Sequence, residues 1–421
     1  MAGAIEVEQH LARVLDAAHR LPAETVPLHD AAGRTLAADV RAALAIPPFE
    51  NSAMDGYAVR LDDVMGAGPD TPVVLEVVAD VPAGSGIDPA VAAGQAVRLM
   101  TGSPMPGAAD TVVPFEETAE GLTPDVPSHV TVLAAPTARG RHVRGRADDL
   151  AVGDLVLAAG TVLGPRQLSS ALSAGATEVQ VSRVPRVAVV STGSELVTDG
   201  ARLERGQIPE SNGPMLAGLA REAGAEVVWR GTVPDADAEV LAVLERVVDL
   251  GADVVVLTGG VSAGAYDVVK SALGSSTDGG SAGTMDFVHV RMQPGKPQGF
   301  GKLADGPLLF GLPGNPVSAA VSWEVFVRPA LMAMQGRREL QRRVVSVETS
   351  TGWASPTGRR QHVPVVLDTT DPARWRVRPA SQRHSGSHLV GSLALADGYA
   401  VVPAEVSAVE AGQRVDVMLV T

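Results

Sequence analysis

The chain sets small and acidic residues together where a phosphate could be held. The segment Leu257-Thr258-Gly259-Gly260-Val261-Ser262-Ala263-Gly264-Ala265-Tyr266-Asp267 follows the apolar run Asp253-Val254-Val255-Val256-Leu257. That run reads as a buried parallel strand, and a helical pattern begins near Tyr266. Small residues at a strand exit let backbone N–H groups approach an anion closely. Thr258, Gly259, Gly260 and Ser262 are therefore a candidate cradle for a phosphate or a pterin. Asp267, about one helical turn further on, could hold a metal on the same anion.

Two more acids stand just past predicted strands: Glu195 in Thr192-Gly193-Ser194-Glu195, and Asp235 after Pro234. The exits of neighbouring parallel strands converge, and clustered carboxylates are costly unless a cation neutralises them. Oxygen donors without His or Cys favour Mg²⁺, held with help from a substrate phosphate. The competing reading is helix capping, and Asp235 is well placed as an N-cap. Cations are arranged to match. Met292-Gln293-Pro294-Gly295-Lys296-Pro297 carries Lys296 in a Pro-braced turn that suits an oxyanion. Gly311-Leu312-Pro313-Gly314-Asn315-Pro316-Val317-Ser318 opens a helix whose amides and Ser318 hydroxyl could bind another anion. Arg359, Arg360, Arg383 and His384, with Ser385-Gly386-Ser387-His388, form a basic patch in an otherwise acidic chain. Asn51-Ser52-Ala53-Met54-Asp55-Gly56-Tyr57-Ala58 and Met100-Thr101-Gly102-Ser103-Pro104 are small and polar where a plain strand would be apolar. They make chemical sense only if their domain meets a sheet edge, such as that of a second subunit.

The elements that must position these residues follow from periodicity. Residues 7–20 show helical spacing, and 165–172 form a helix that begins at its proline. Short β-type runs at 71–78, 96–100, 111–115 and 129–133 indicate a small all-β domain inserted into the first one. From Val184 onward strands and helices alternate: strand 186–191, helix 214–223, strand 226–230, helix 235–250, strand 253–257, a helix from 266, strands near 287–292 and at 308–310, and helix 316–334. That alternation predicts a doubly wound, mostly parallel sheet, with ligands beyond the C-terminal strand ends. The last runs, from 344 to 419, are again all β. The expected division is an elongated α+β scaffold (1–46 and 141–180), an inserted β domain (47–140), an α/β domain (181–335) and a C-terminal β-barrel-like domain (336–421).

Composition sets bounds. The 421 residues are 45% hydrophobic and 19% charged, as in a folded multidomain protein. Aromatics are only 3%, so the core must rest on Val, Leu and Ala. A net charge of −14 argues against a general nucleic-acid or membrane-surface binder. Cysteine is absent, which removes thiolate metal sites and cysteine nucleophiles. With no export signal and no uninterrupted apolar span of about 20 residues, the cytoplasm is the expected location and no transmembrane helix is expected. The only lysines are Lys270, Lys296 and Lys302, all in one short region.

Taken in order, these motifs resemble the molybdopterin molybdenumtransferases, which complete molybdenum cofactor assembly and include the C-terminal region of gephyrin and its plant counterpart. The resemblance covers nearly the whole chain. It rests on Pro48-Phe49-Glu50-Asn51-Ser52-Ala53-Met54-Asp55-Gly56-Tyr57-Ala58, Met100-Thr101-Gly102, Ser191-Thr192-Gly193-Ser194-Glu195-Leu196, Thr258-Gly259-Gly260-Val261-Ser262, Pro294-Gly295-Lys296-Pro297 and Leu312-Pro313-Gly314-Asn315-Pro316-Val317-Ser318. It implies four subdomains and an elongated homodimer whose cleft joins the α/β domain of one protomer to the inserted β domain of its partner. By motif, Asp55 and Thr101 are the partner-supplied residues, and Glu195, Asp235 and Asp267 the acids that hold Mg²⁺. Lys296, Ser318, Arg359 and Ser387 fall where the family holds molybdate. Gly193, Ser194, Pro297, Pro313, Gly314 and Asn315 belong to the substrate-binding loops. Gln293 stands where many relatives carry a lysine, which either weakens the hold on molybdate or shifts the task to Lys296 and Arg359. The implied reaction is Mg²⁺-dependent insertion of molybdate into adenylated molybdopterin with release of AMP. A molybdopterin adenylyltransferase and recipient molybdoenzymes are the implied partners. Two alternatives stand beside this reading. A molybdopterin adenylyltransferase would share the α/β loop but need no flanking β domains, and a non-catalytic scaffold would tolerate loss of the acids retained here.

Overall fold

The computed structural model describes residues 4–198, 200–260, 269, 273, 284–303, 306–381 and 389–420. Six strands form the central sheet: Arg186–Thr192 (β1), Glu226–Val233 (β2), Val254–Thr258 (β3), Thr284–His289 (β4), Pro297–Lys302 (β5) and Leu308–Leu312 (β6). Their order across the sheet is β2-β1-β3-β6-β5-β4. The first four in that order run parallel, and β5 and β4 extend the sheet as an antiparallel pair. The doubly wound, mostly parallel sheet expected from the alternation is present. Strand β5, however, has no counterpart in the sequence reading, because Gly299 and Gly301 break its apolar run.

Both faces of the sheet are covered, which is why its strands are near-continuous Val and Ala runs. Val187, Val189, Val254, Val256 and Phe310 face one core; Ala188, Val190, Val255, Leu257 and Leu309 face the other. That is the period-two alternation of a strand. The first core also takes Val7 and Val14 from the N-terminal helix Val7–Ala17 and Ala18 at its C-cap, so that helix packs on the α/β unit.

Helix Pro316–Met334 supplies Trp323, Phe326 and Leu331 to the same core, each with no solvent exposure. Burying such side chains stabilises the fold by roughly 1.5–3 kcal/mol apiece. A π turn at Trp323–Val327 interrupts it just before Pro329. Proline lacks an N–H and crowds the carbonyl four residues back, and the wider turn relieves both defects. The helix is 19 residues long and apolar enough to pass for a membrane span, yet 83% of its apolar window is buried in the fold. Glu324 and Arg328 interrupt its apolar run in the sequence.

Around this unit, the segments 23–46 and 150–182 share a core of Leu28, Leu36, Leu163 and Val181. The inserted region forms a five-stranded sheet containing Gly56–Val59, Val73–Val81, Gln95–Leu99, Thr111–Pro114 and His129–Val132. The C-terminal strands Val344–Thr349, Arg360–Asp368, Arg376–Pro379, Gly398–Val402 and Arg414–Leu419 close on themselves, because Arg360–Asp368 pairs with both Arg376–Pro379 and Gly398–Val402. This is the barrel-like domain anticipated. Met292–Gln293, from the α/β unit, pairs in parallel with Arg360 and Gln361 and stitches the two units together.

Candidate active site

Register brings the strand exits to one level. Ser191 of β1 lies opposite Thr258 of β3, and Thr258 lies opposite Leu312 of β6. The loops that follow therefore pack backbone on backbone. Gly259 adopts φ 90°, and a Cβ there would sit 2.4 Å from the Thr192 carbonyl oxygen, so only glycine fits. A Cβ on Gly314 would lie 3.6 Å from the Gly259 Cα, showing how close the third loop comes. Asn212 secures that loop by donating from Nδ2 to the Gly314 carbonyl at 2.7 Å.

Beyond these exits lies a cavity of about 1130 Å³ between the sheet and the barrel. Thr192, Glu195, Thr258, Gly259, Gly260, Pro313, Gly314, Asn315 and Ser318 line it from the sheet side, with Lys296 and Pro297 from the braced turn. Trp353, Arg359, Gln361, His362 and Arg378 line it from the barrel. Ligands of doubly wound sheets bind beyond the C-terminal ends of the strands, and a cavity between two units is a common place for a small molecule.

The acids divide by role. Glu195 is exposed at the cavity, and no described residue donates to its carboxylate. Asp235 is not an N-cap, contrary to the capping alternative. The helix runs Asp237–Asp249 with Ala236 at its cap, and Asp235 Oδ2 instead accepts the Ser194 N–H at 3.2 Å. The Asp235 N–H in turn donates to Ser194 Oγ at 3.3 Å, so this acid steadies the loop that carries Glu195. Asp235 does not line the cavity itself. Asp267, Ser262 and Ser387 lie outside the described residues, as do Lys270, Arg383 and His384. Among the described residues no three His, Asp or Glu side chains come together as a metal cluster. The exposed Glu195 carboxylate nonetheless fits Mg²⁺, which takes one or two protein carboxylates and completes its shell with water and phosphate.

The cationic side is held firmly. Gly295 adopts φ 98°, and its carbonyl accepts from Gln298 Nε2 at 2.7 Å. The same Nε2 donates to Ser322 Oγ at 2.7 Å, and the Lys296 carbonyl accepts the Val290 N–H at 2.8 Å. Gln293 Oε1 lies 3.5 Å from Arg359 Nη1. It thus offers a carbonyl to the guanidinium where a lysine would have repelled it.

Three residues that the sequence reading did not single out also shape the cavity. Asn212 Oδ1, Trp353 Nε1 and His362 Nδ1 are buried and lack a hydrogen-bond partner, and all three residues line this cavity. Buried polar atoms are normally paired, so unpaired ones in residues that line a cavity mark candidate places for a polar ligand. Burial, followed by the nearby Arg360 charge, pulls His362 down to about 4, so its imidazole is neutral near pH 7. Arg378 adds a further cation. A polar residue at a helix start (Asn212) and a lone imidazole in an apolar strand (His362) were the visible signals.

Asp55 and Thr101 pair with each other instead of joining this cavity in the same chain. Asp55 Oδ1 accepts the Thr101 N–H at 2.6 Å and its hydroxyl at 2.8 Å. Those two donors hold the Asp55 carboxyl below the usual carboxylate range.

Residues 5–175 match the MoeA N-terminal region (domain I and II), 188–333 a probable molybdopterin binding domain, and 346–420 the MoeA C-terminal region (domain IV). The chain is 41% identical over 411 residues to molybdopterin molybdenumtransferase 2 of Mycobacterium tuberculosis, covering 98% of each chain. It is 35% identical over 398 residues to the molybdopterin molybdenumtransferase of Nostoc sp., covering 94% of this chain and 88% of that one. A crystal structure of the molybdopterin biosynthesis MoeA protein from Pyrococcus horikoshii shares its fold at TM-score 0.78 and 30% identity, with 99% of each chain covered. Fold, site and relatives together define a transferase of molybdenum cofactor biosynthesis. The chain belongs to the MoeA family of molybdopterin molybdenumtransferases.

Proposed function

We propose that the cavity between sheet and barrel binds adenylated molybdopterin and molybdate, and that molybdate is inserted into the pterin dithiolene as AMP leaves. One observation carries the reading: the exposed Glu195 carboxylate and the cations Lys296, Arg359 and Arg378 line the same cavity. Water cleaves the phosphoanhydride, giving AMP and the pterin phosphate. Two thiols then bind molybdenum, and their protons leave with one molybdate oxygen as water.

The glycine loops at Gly259 and Gly314 let backbone N–H groups approach the phosphates or the pterin. Lys296 and Arg359 collect the molybdate dianion through charge-assisted hydrogen bonds. Asn212 and His362 line the cavity and each carries a buried unpaired polar atom, which we assign to the pterin ring. Glu195, with Asp235 steadying its loop and Asp267 as a third acid, would hold Mg²⁺. When bound, that ion supplies charge stabilisation at the phosphoanhydride.

Asp55 and Thr101 stand outside the cavity of their own chain, so we assign them to the cavity of a partner in a homodimer. A molybdopterin adenylyltransferase would supply the adenylated substrate, and apo-molybdoenzymes would receive the product. The test mixes purified protein with adenylated molybdopterin, Mg²⁺ and molybdate. AMP release with activation of an apo-molybdoenzyme supports the proposal. Inactivity with this substrate, or formation of pyrophosphate from ATP and molybdopterin, would overturn it.

A further inference from the structure

We propose that a second cavity, separate from the first, binds a phosphate-bearing anion at the junction of three regions of the chain. It measures about 680 Å³ and shares no lining residue with the first cavity. Gly160, Thr161 and Gln167 bound it from the scaffold, Arg328 and Arg337 from the last helix of the α/β unit and its exit, and Arg338, Arg342 and Arg343 from the segment entering the barrel. Five arginines thus line one hollow in a chain of net charge −14. A generally basic surface does not explain them.

The pairing of these arginines is uneven. Arg342 is neutralised twice, by Glu324 at 2.9 Å and Glu222 at 2.6 Å, and these bonds raise its pKa against the opposing effect of burial. Arg328 lies 4.0 Å from the same Glu324. Among the described residues Arg337 has only neutral partners: Thr35 Oγ1 at 3.2 Å, Gln335 Oε1 at 2.9 Å and the Ala223 carbonyl at 3.4 Å. Arg338 donates to the Ala159 carbonyl at 3.1 Å. Among the described residues no carboxylate pairs with Arg337, Arg338 or Arg343, and Glu339 is the one acid on the cavity wall.

Burial, then the neighbouring Arg328, lowers the basicity of Arg337, and burial, then Arg342, lowers that of Arg328. Arginine does not shed its proton in proteins, so partly desolvated like charges of this kind call for a counter-anion. Neutral acceptors orient Arg337 without neutralising it, which leaves its charge for a ligand. The planar fork matches phosphate oxygens in pairs. The volume lies within the range of about 300–1,000 Å³ typical of small-molecule sites. It exceeds what a single phosphate fills. The ligand class is therefore a pyrophosphate or a phosphate ester with at least two negative charges, either free or as the phosphate end of a nucleotide.

The experiment uses the full-length protein with inorganic phosphate, pyrophosphate, AMP and ATP in separate titrations, each at an ionic strength fixed with KCl. Calorimetry and thermal unfolding are read together. The expected result is saturable binding of pyrophosphate or ATP, with Tm rising by about 3 °C or more at saturation. Arg338→Gln and Arg343→Gln should each weaken binding by about tenfold, since each removes a charged hydrogen-bond donor. Both side chains are exposed, so the fold should survive, and an unchanged Tm without ligand checks this. Lys296→Ala, in the other cavity, should leave this binding unchanged. Binding of AMP or ATP without pyrophosphate makes the nucleotide the carrier; equal binding of pyrophosphate and ATP makes the phosphate end sufficient. Absence of saturable binding by any of the four, binding indifferent to both arginine variants, or binding lost in Lys296→Ala would each overturn the proposal.

Discussion

Glu195 and Lys296 line one cavity, and in the proposed reaction they act on different parts of the substrates, so their replacements should separate. Glu195→Ala removes the carboxylate proposed to hold Mg²⁺, and AMP release should fall about 10²-fold or more at saturating molybdate. Lys296→Ala weakens the capture of a dianion, so the molybdate concentration for half-maximal insertion should rise about tenfold while AMP release changes little. Coupled and uncoupled assays of AMP and active cofactor distinguish the two. Gly259→Ala tests the cradle. Its Cβ would sit 2.4 Å from the Thr192 carbonyl oxygen at a φ of 90°, so the loop must shift. A loss of about 1–3 kcal/mol in denaturant unfolding, together with lost activity, is the expected outcome. At this scale the motifs were readable where small residues or braced turns broke an expected pattern, as at Gly259 and Lys296. Asn212 and His362 carry only a faint local signal, and Arg378 carries none. Their meaning depends on the cavity formed when the barrel meets the sheet, which local periodicity does not encode.

Among the elements, helix Val7–Ala17 and strand Arg360–Asp368 each bury an imidazole. His10 is 1% exposed, with Phe326 edge-on at 4.7 Å, and His362 is 4% exposed. Burial is the larger cause for both, with Arg13 and Arg360 adding to it, and each is pulled from 6.5 to about 4. As pH falls below 6.5 the unfolded chain takes up protons that the folded chain refuses. Stability that is full above that pH is therefore lost progressively down to about pH 4, and the loss levels off below it. Each imidazole accounts for up to about 3 kcal/mol of this loss. Denaturant midpoints measured from pH 7 to pH 4 should show the decline, and His10→Leu should flatten part of it. The alternation of strands and helices was legible because buried parallel strands and amphipathic helices carry distinct periods. Strand Pro297–Lys302 escaped notice because its glycines hide it. The Asp235 cap was misread because the Ser194 amide, 41 residues away in sequence, competes for the carboxylate.

Across the whole molecule, the decisive question is whether Asp55 serves a cavity in the other subunit. In a two-fold dimer with shared sites, Asp55→Asn and Glu195→Ala would each be inactive alone. Random mixing would make half the dimers mixed, each with one intact site, so activity should return to about a quarter of the wild-type value. Co-expression of differently tagged variants followed by an AMP-release assay measures this. No recovery in a confirmed mixed dimer would show that Asp55 acts within its own chain.

The short parallel pairing of Met292–Gln293 with Arg360–Gln361 has a mechanical consequence. The lysine turn begins where that pairing ends, so the cation is anchored to both walls of the cleft at once. If the barrel swings away from the sheet, it must either unzip these two residues or drag the ammonium with it. Widening the entrance and loosening the proposed grip on the metal oxyanion would then be a single movement.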